Sequence, residues 1–211
     1  MPIRAGWVIR GAHQQPRPLC VLAERFVETF LPDVENPRPT PPQDELDFGT
    51  EHLKWVQVNP GDEASACTFA LLEIVETSDP PVAISDLTLI VDSSKVGHQV
   101  MDMLQQQKGI RCIDTLDPIT GSEFERETEG RRKKLAFFKG DARVKVTTMH
   151  SFKGWESKAL VVLITNAQSD EALSLAYTGI TRLKRSESGA YMTIVCSAQR
   201  LASFGSGWRV S

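Results

Sequence analysis

The run LVVLIT at Leu160–Thr165 most narrows what this chain can fold into. A strand with one wet face alternates apolar and polar residues. An unbroken apolar run of strand length instead suits a strand buried on both faces, as in a parallel sheet covered by helices on each side. LTLIV at Leu87–Val91 and MTIVC at Met192–Cys196 repeat the pattern. Further strands are predicted at Gly6–Ile9, Trp55–Val58, Ile110–Ile113 and Val144–Thr148.

Helical periodicity fills the gaps between these strands. Pro18 to Leu31 places a proline in a first turn and spaces Leu19, Leu22, Ala23, Phe26, Val27 and Phe30 along one face. Asp62 is the expected cap of a second helix whose apolar face is Cys67, Ala70, Leu71, Ile74 and Val75. Helices are also predicted from Val96 to Gln107, from Glu171 to Arg182, and from Ala198 to Phe204, the last stopping at Gly205. The expected class is therefore α/β, a three-layer sandwich with a mostly parallel sheet and helices on both faces. The proline-rich stretch from Pro32 to Thr50 and the polar, acidic stretch from Thr115 to Gly130 fit no regular element of that sheet and read as surface excursions. Neither reads as a domain boundary, so residues 1–211 are expected to form one domain.

Composition excludes several classes. An apolar content of 41% and a charged content of 24% are ordinary for a globular protein. No apolar run approaches the ~20 residues of a membrane span, and MPIRAGWVIRGAH lacks the apolar core of a signal peptide. A cytoplasmic location is expected. Cys20, Cys67, Cys112 and Cys196 stand far apart, without the paired spacing of a zinc site or redox dithiol, and read as small hydrophobes. No metal site is predicted. The net charge of −3 hides an asymmetry along the chain: residues 31–51 are acidic and proline-rich, whereas Arg131 to Lys145 contains seven basic residues, with Arg182, Lys184 and Arg185 beyond. A basic run is commonly a solvated face. Here it leads straight into a polar loop, which gives phosphate contact equal standing.

That loop, within VKVTTMHSFKGWE at Val144–Glu156, concentrates site chemistry. It leaves the exit of a strand, where open α/β sheets gather ligands. His150 and Ser151 supply hydrogen-bond donors, Lys153 a point charge, Gly154 close backbone approach, and Glu156 an acceptor suited to hydroxyl groups. The set suits a phosphorylated sugar. The plainer alternative pairs Lys153 with Glu156 across one helical turn, which leaves His150, Ser151 and Gly154 unexplained. Trp155 could stack on a base or on the adenine, but packing against the sheet is the expectation. For Arg182, the residues alone favour a cation at a helix end.

The loop resembles motif V of the UvrD/Rep/PcrA-type helicases of superfamily one, T-x-H-S-x-K-G-x-E, at Thr148, His150, Ser151, Lys153, Gly154 and Glu156. LAYTGITRLKR at Leu175–Arg185 resembles motif VI, Y-V-A-x-T-R, at Tyr177, Thr181 and Arg182. Ser85 to Ile110 resembles the strand, loop and helix ahead of the family's 2A core, and RGAHQQPRPLCVLAERF resembles the segment after motif III. The resemblance implies the second RecA-like domain of an ATP-dependent DNA motor. It implies an arginine finger in Arg182, ATP contacts from Lys153, Gly154, Glu156 and Gln14, and contacts to single-stranded DNA from Thr148, His150 and Ser151.

Three departures qualify the resemblance. No G-x-x-x-x-G-K-[ST] string occurs, so ATP and Mg²⁺ are expected only with an N-terminal P-loop domain, in cis or in trans, and hydrolysis by this chain alone is not expected. Gln14 stands where the family's N-terminal segment carries an arginine. The 33 residues between Ile110 and Val144 are too few for the inserted 2B domain, so the compact forms are the comparison. Two functional classes stand: the C-terminal half of a helicase motor, and a non-catalytic RecA-like module that binds nucleic acid or protein.

Overall fold

In the computed structural model the described residues are 17–32, 51–116, 128, 142–184 and 186–208. Six strands form one sheet: β1 (Glu51–Gln57), β2 (Leu87–Val91), β3 (Cys112–Asp114), β4 (Val144–Thr148), β5 (Ala159–Ile164) and β6 (Ala190–Cys196). Their order is β1-β6-β5-β2-β4-β3, and every pairing is parallel. The predicted strand at Gly6–Ile9 lies outside the described residues, as do most of Pro32–Thr50, most of Thr115–Gly130 and Gln14. Among the described residues the sheet is accompanied by the α-helices α1 (Arg17–Phe30), α2 (Glu63–Thr77), α3 (Ser94–Lys108), α4 (Asp170–Ile180) and α5 (Ala202–Ser206).

The unbroken apolar runs do face two ways. Leu160, Val162 and Ile164 of β5 join one apolar cluster with Phe26 of α1, Leu173 and Ala176 of α4, and Phe204 of α5. Ala159, Val161 and Leu163 join the opposite cluster with Leu71 of α2 and Val100 and Leu104 of α3. Period-two alternation thus feeds two cores rather than a core and solvent. β5 and β6 are buried along their whole lengths, which explains why their sequences carry no polar phase.

Some boundaries differ from the sequence expectation. Asp62 precedes α2 but adopts αR geometry (φ −93°, ψ −2°) and makes no side-chain cap bond. An N-cap side chain reaches the first-turn amides from extended geometry. Here the carboxylate of Glu63 accepts from the Gly61 N–H at 2.6 Å instead. α4 begins one residue earlier than expected, capped by Ser169, and ends at Ile180, so Arg182 lies past the helix rather than on it. The C-terminal helix starts at Ala202 and runs through Gly205 to Ser206, and the glycine serves close packing rather than termination: a Cβ there would lie 2.0 Å from Trp55 Nε1.

Candidate functional site

The loop after β4 is built from the inside out. Met149 and Phe152 are 1% and 3% exposed and anchor it in the α1/α4 core, while His150, Ser151, Lys153, Gly154 and Trp155 face outward. The backbone N–H of Phe152 donates to the Thr148 carbonyl (3.0 Å), that of Lys153 to His150 (3.3 Å), and that of Trp155 to Phe152 (3.0 Å). The Thr148 hydroxyl donates to Ser151 Oγ at 3.0 Å and accepts the Ser151 N–H at 3.1 Å. Thr148 and Ser151 therefore shape the turn. Gly154 sits at φ +86°, a left-handed conformation that a side chain would strain.

The loop also travels. Thr148 closes β4 at the carboxyl edge of the sheet, but the next strand, β5, is parallel and starts at the amino edge. Ser157, just before β5, is consequently at the opposite edge from Thr148. α4 makes the same descent between β5 and β6, so Arg182 and Lys184 also arrive at the amino edge. There the two polar stretches meet in an isolated parallel bridge between Ser157 and Leu183. The Ser157 N–H donates to the Arg182 carbonyl (3.1 Å), and the Lys184 N–H donates to the Ser157 carbonyl (2.9 Å). The carboxyl-edge crevice thus receives Thr148, His150 and Ser151, whereas Glu156 and Arg182 gather at the other end.

Arg182 is held rather than loose. Its Nε donates to the Thr178 carbonyl at 2.9 Å, in the last turn of α4, and its Nη2 to the hydroxyl of the C-cap residue Thr181 at 3.4 Å. Among the described residues, Nη1 donates to none. Burial draws the guanidinium below its ordinary value, with Glu156 and then Tyr177 opposing the shift. Burial likewise pushes the Glu156 carboxyl upward, while Arg182 and Lys184 pull it down. The cations acting on Glu156 come from across the bridge.

Beside them opens a cavity of about 310 Å³ lined by Asp86, Lys145, Glu156, Ser157, Lys158, Lys184 and Ser186. Lys158 pairs with Asp86 at 3.1 Å. No local pattern along the chain announces this cavity, because Asp86 and Lys158 precede different strands and meet only through sheet order. Of the basic run from Arg131 to Lys145, Arg143 and Lys145 lie among the described residues, and Arg185 does not. Trp155 is 45% exposed.

At the carboxyl edge, Asp92 bridges β2 to the end of β5. Its carboxylate accepts from the N–H of Thr165 (2.5 Å), the Thr165 hydroxyl (3.1 Å) and the N–H of Asn166 (3.1 Å). Burial raises its pKa despite these bonds. Cys67 and Cys196 are buried, with Cys20 and Cys112 partly so; burial pushes the Cys196 and Cys112 thiols up to about 11. Among the described residues, no group of three or more His, Cys, Asp or Glu side chains could hold a metal ion, and no helix is long and apolar enough to cross a membrane.

No protein-family model matches the chain, and no curated protein matches it. Solved structures do. The C-terminal domain of a possible DNA helicase from Lactobacillus plantarum WCFS1 superposes with a TM-score of 0.51 at 13% identity, covering 90% of this chain and 92% of that one. A DEAD box protein from the hyperthermophile Methanococcus jannaschii gives a TM-score of 0.45 at 15% identity over 74% of this chain and 38% of that protein. The C-terminal domain of the DEAD-box protein Dbp5 gives 0.44 at 17% identity, covering 75% of this chain and 85% of that one. The all-parallel six-stranded sheet with helices on both faces is a RecA-like α/β fold, similar in structure to C-terminal RecA-like helicase domains.

Proposed function

We propose that the chain is the C-terminal motor domain of an ATP-dependent DNA helicase of the UvrD/Rep/PcrA type, and that it works with a P-loop domain supplied in cis or in trans. The observation that carries this reading is the bridge between Ser157 and Leu183, which brings the loop resembling motif V against the segment resembling motif VI and sets Glu156 in the field of Arg182. Sequence resemblance alone does not require that meeting. The similarity in fold to the C-terminal domain of a possible DNA helicase from Lactobacillus agrees with the reading.

The residues present fit a nucleoside triphosphate bound with Mg²⁺ against this edge. Arg182 is fastened by Nε to the end of α4 and keeps Nη1 for the γ-phosphate, the geometry of a fixed arginine finger. Glu156 accepts from ribose hydroxyl groups, and Gly154 allows close backbone approach. Lys153 completes the nucleotide contacts carried over from the family, and Gln14 stands where the family places a second phosphate-contacting arginine. The bound nucleotide supplies the phosphoryl group whose cleavage drives movement. Thr148, His150 and Ser151, at the other edge, contact the backbone of single-stranded DNA, which gives affinity without sequence reading.

Reconstitution tests the proposal. Adding a P-loop domain to this chain should restore DNA-stimulated ATPase, and Arg182→Ala should lower it about 10³-fold or more while leaving binding to single-stranded DNA nearly unchanged. A second reading, a RecA-like binding module without catalysis, draws on the hydrogen bond from Arg182 to the Thr178 carbonyl, since an arginine that caps a helix has a structural role of its own. If Arg182→Ala weakens DNA binding and no P-loop partner elicits ATPase, the module reading replaces the motor.

A further inference from the structure

We infer that the cavity at the amino edge binds a sugar phosphate, with Lys184 on the phosphate and Glu156 on the sugar hydroxyls. The inference rests on the nucleotide reading above, from which it takes Glu156, and adds the cavity and a residue that reading does not use. Sheet order builds the cavity. Asp86 precedes β2, Lys158 precedes β5, Ser186 precedes β6, and Lys145 is the second residue of β4. Those strands are neighbours in the order β6-β5-β2-β4, so at ~4.8 Å between strands the cavity spans about 14 Å of the amino edge. Its volume of about 310 Å³ lies at the small end of ligand pockets, roughly 300–1,000 Å³, which suits a sugar with a phosphate rather than a large ligand.

The charges sort the walls. Ammonium groups of Lys145, Lys158 and Lys184 line the cavity with the carboxyls of Asp86 and Glu156. Lys158 pairs with Asp86 at 3.1 Å, and Lys145 has a partner of its own, so these two lend the cavity their field. Lys184 is placed differently. It is exposed, and the 2.9 Å bond from its backbone N–H to the Ser157 carbonyl fixes its position beside residue 156. Its charge acts on Glu156, yet among the described residues the two side chains form no ion pair. A cation that only neutralised Glu156 would close on it. An ammonium on a flexible stem suits a phosphate, whereas a carboxylate accepts from hydroxyl groups and repels an anion. Both on one cavity select a ligand with an anionic end and a hydroxyl end, and orient it. Inorganic phosphate would meet Lys184 and be repelled by Glu156; an uncharged sugar would use Glu156 alone.

The test uses the full chain and ligand-observed NMR titrations with ribose 5-phosphate, AMP, ribose and inorganic phosphate. Wild type is compared with Lys184→Ala, Lys184→Arg, Glu156→Gln and Lys95→Ala, the last an exposed lysine in the first turn of α3, beyond the carboxyl end of β2. Thermal melts verify that each is folded. Wild type should bind ribose 5-phosphate more tightly than ribose or inorganic phosphate. Lys184→Ala should weaken ribose 5-phosphate about tenfold, whereas Lys184→Arg and Lys95→Ala should bind it nearly as wild type does. Glu156→Gln should narrow the preference for ribose 5-phosphate over inorganic phosphate. AMP bound more tightly than ribose 5-phosphate assigns the sugar phosphate to a nucleotide, and equal or weaker binding assigns it to a free sugar phosphate. The inference is overturned if wild type binds neither sugar phosphate, if inorganic phosphate binds as tightly as ribose 5-phosphate, or if Lys184→Ala keeps wild-type affinity. The motor reading is then still decided by the reconstituted ATPase. Lys184-dependent binding without ATPase from any P-loop partner overturns the motor reading alone.

Discussion

At the scale of single residues, Gly205 and Asp92 show how position dictates chemistry. The α5 backbone passes so close to the Trp55 indole that a methyl at Gly205 would overlap Nε1, which is itself held by donation to Gln57 at 3.1 Å. Gly205→Ala should therefore destabilise the chain by about 1–3 kcal/mol through overpacking, read as a lower urea midpoint with an unchanged m-value. Asp92 makes a prediction in pH. Burial holds its folded pKa above the ordinary 3.8, so its contribution to stability is fully present below that value and is lost as pH rises through the folded pKa. Asp92→Asn should flatten that part of the stability profile, with a constant offset from the altered bonds to Thr165 and Asn166. Urea melts of both proteins across the acid-to-neutral range decide the matter, and strictly parallel curves would contradict the titration.

At the scale of elements, α4 is the device that delivers Arg182, and its start is as important as its end. The Ser169 side chain accepts from the Ala172 N–H at 3.2 Å, and Asp170 and Glu171 occupy the first turn, where carboxylates suit the helix dipole. Ser169→Ala should cost about 1 kcal/mol in a thermal or urea melt while leaving the Ser157–Leu183 bridge in place. Elements of this kind were largely legible in the sequence. β2 and β4 fall on their predicted residues, and the apolar spacing of α1 located it within a residue at each end. What the sequence could not convey was contact across distance. Glu156 and Arg182 meet through a bridge between separate elements, and Asp92 finds its partners at the end of β5, because sheet order is set by the joint packing of both faces. Local pattern also misjudged Asp62, whose backbone conformation withholds the cap its side chain would offer.

At the scale of the whole molecule, the parallel sheet keeps two polar clusters apart. Ala159, beside the amino-edge cluster, pairs with Leu87, whereas Thr148 pairs with Val91 four residues along β2. At ~3.3 Å per residue the two edges are separated by about 13 Å. Between them lie strands buried on both faces, whose close packing leaves little room for one edge to adjust to a change at the other. Sites farther apart than 7–10 Å without shared partners contribute additively, to within about 0.5 kcal/mol. A double-mutant cycle on Ser151→Ala and Arg182→Ala should therefore give a coupling energy near zero for binding to single-stranded DNA by the isolated chain. In the reconstituted motor the same cycle on DNA-stimulated ATPase should be strongly non-additive, because on the proposed reading stimulation requires one edge to sense the strand while the other holds the nucleotide. Additivity in both assays would mean that the two edges act independently, and the chain would then behave as a binding module rather than as half of a motor.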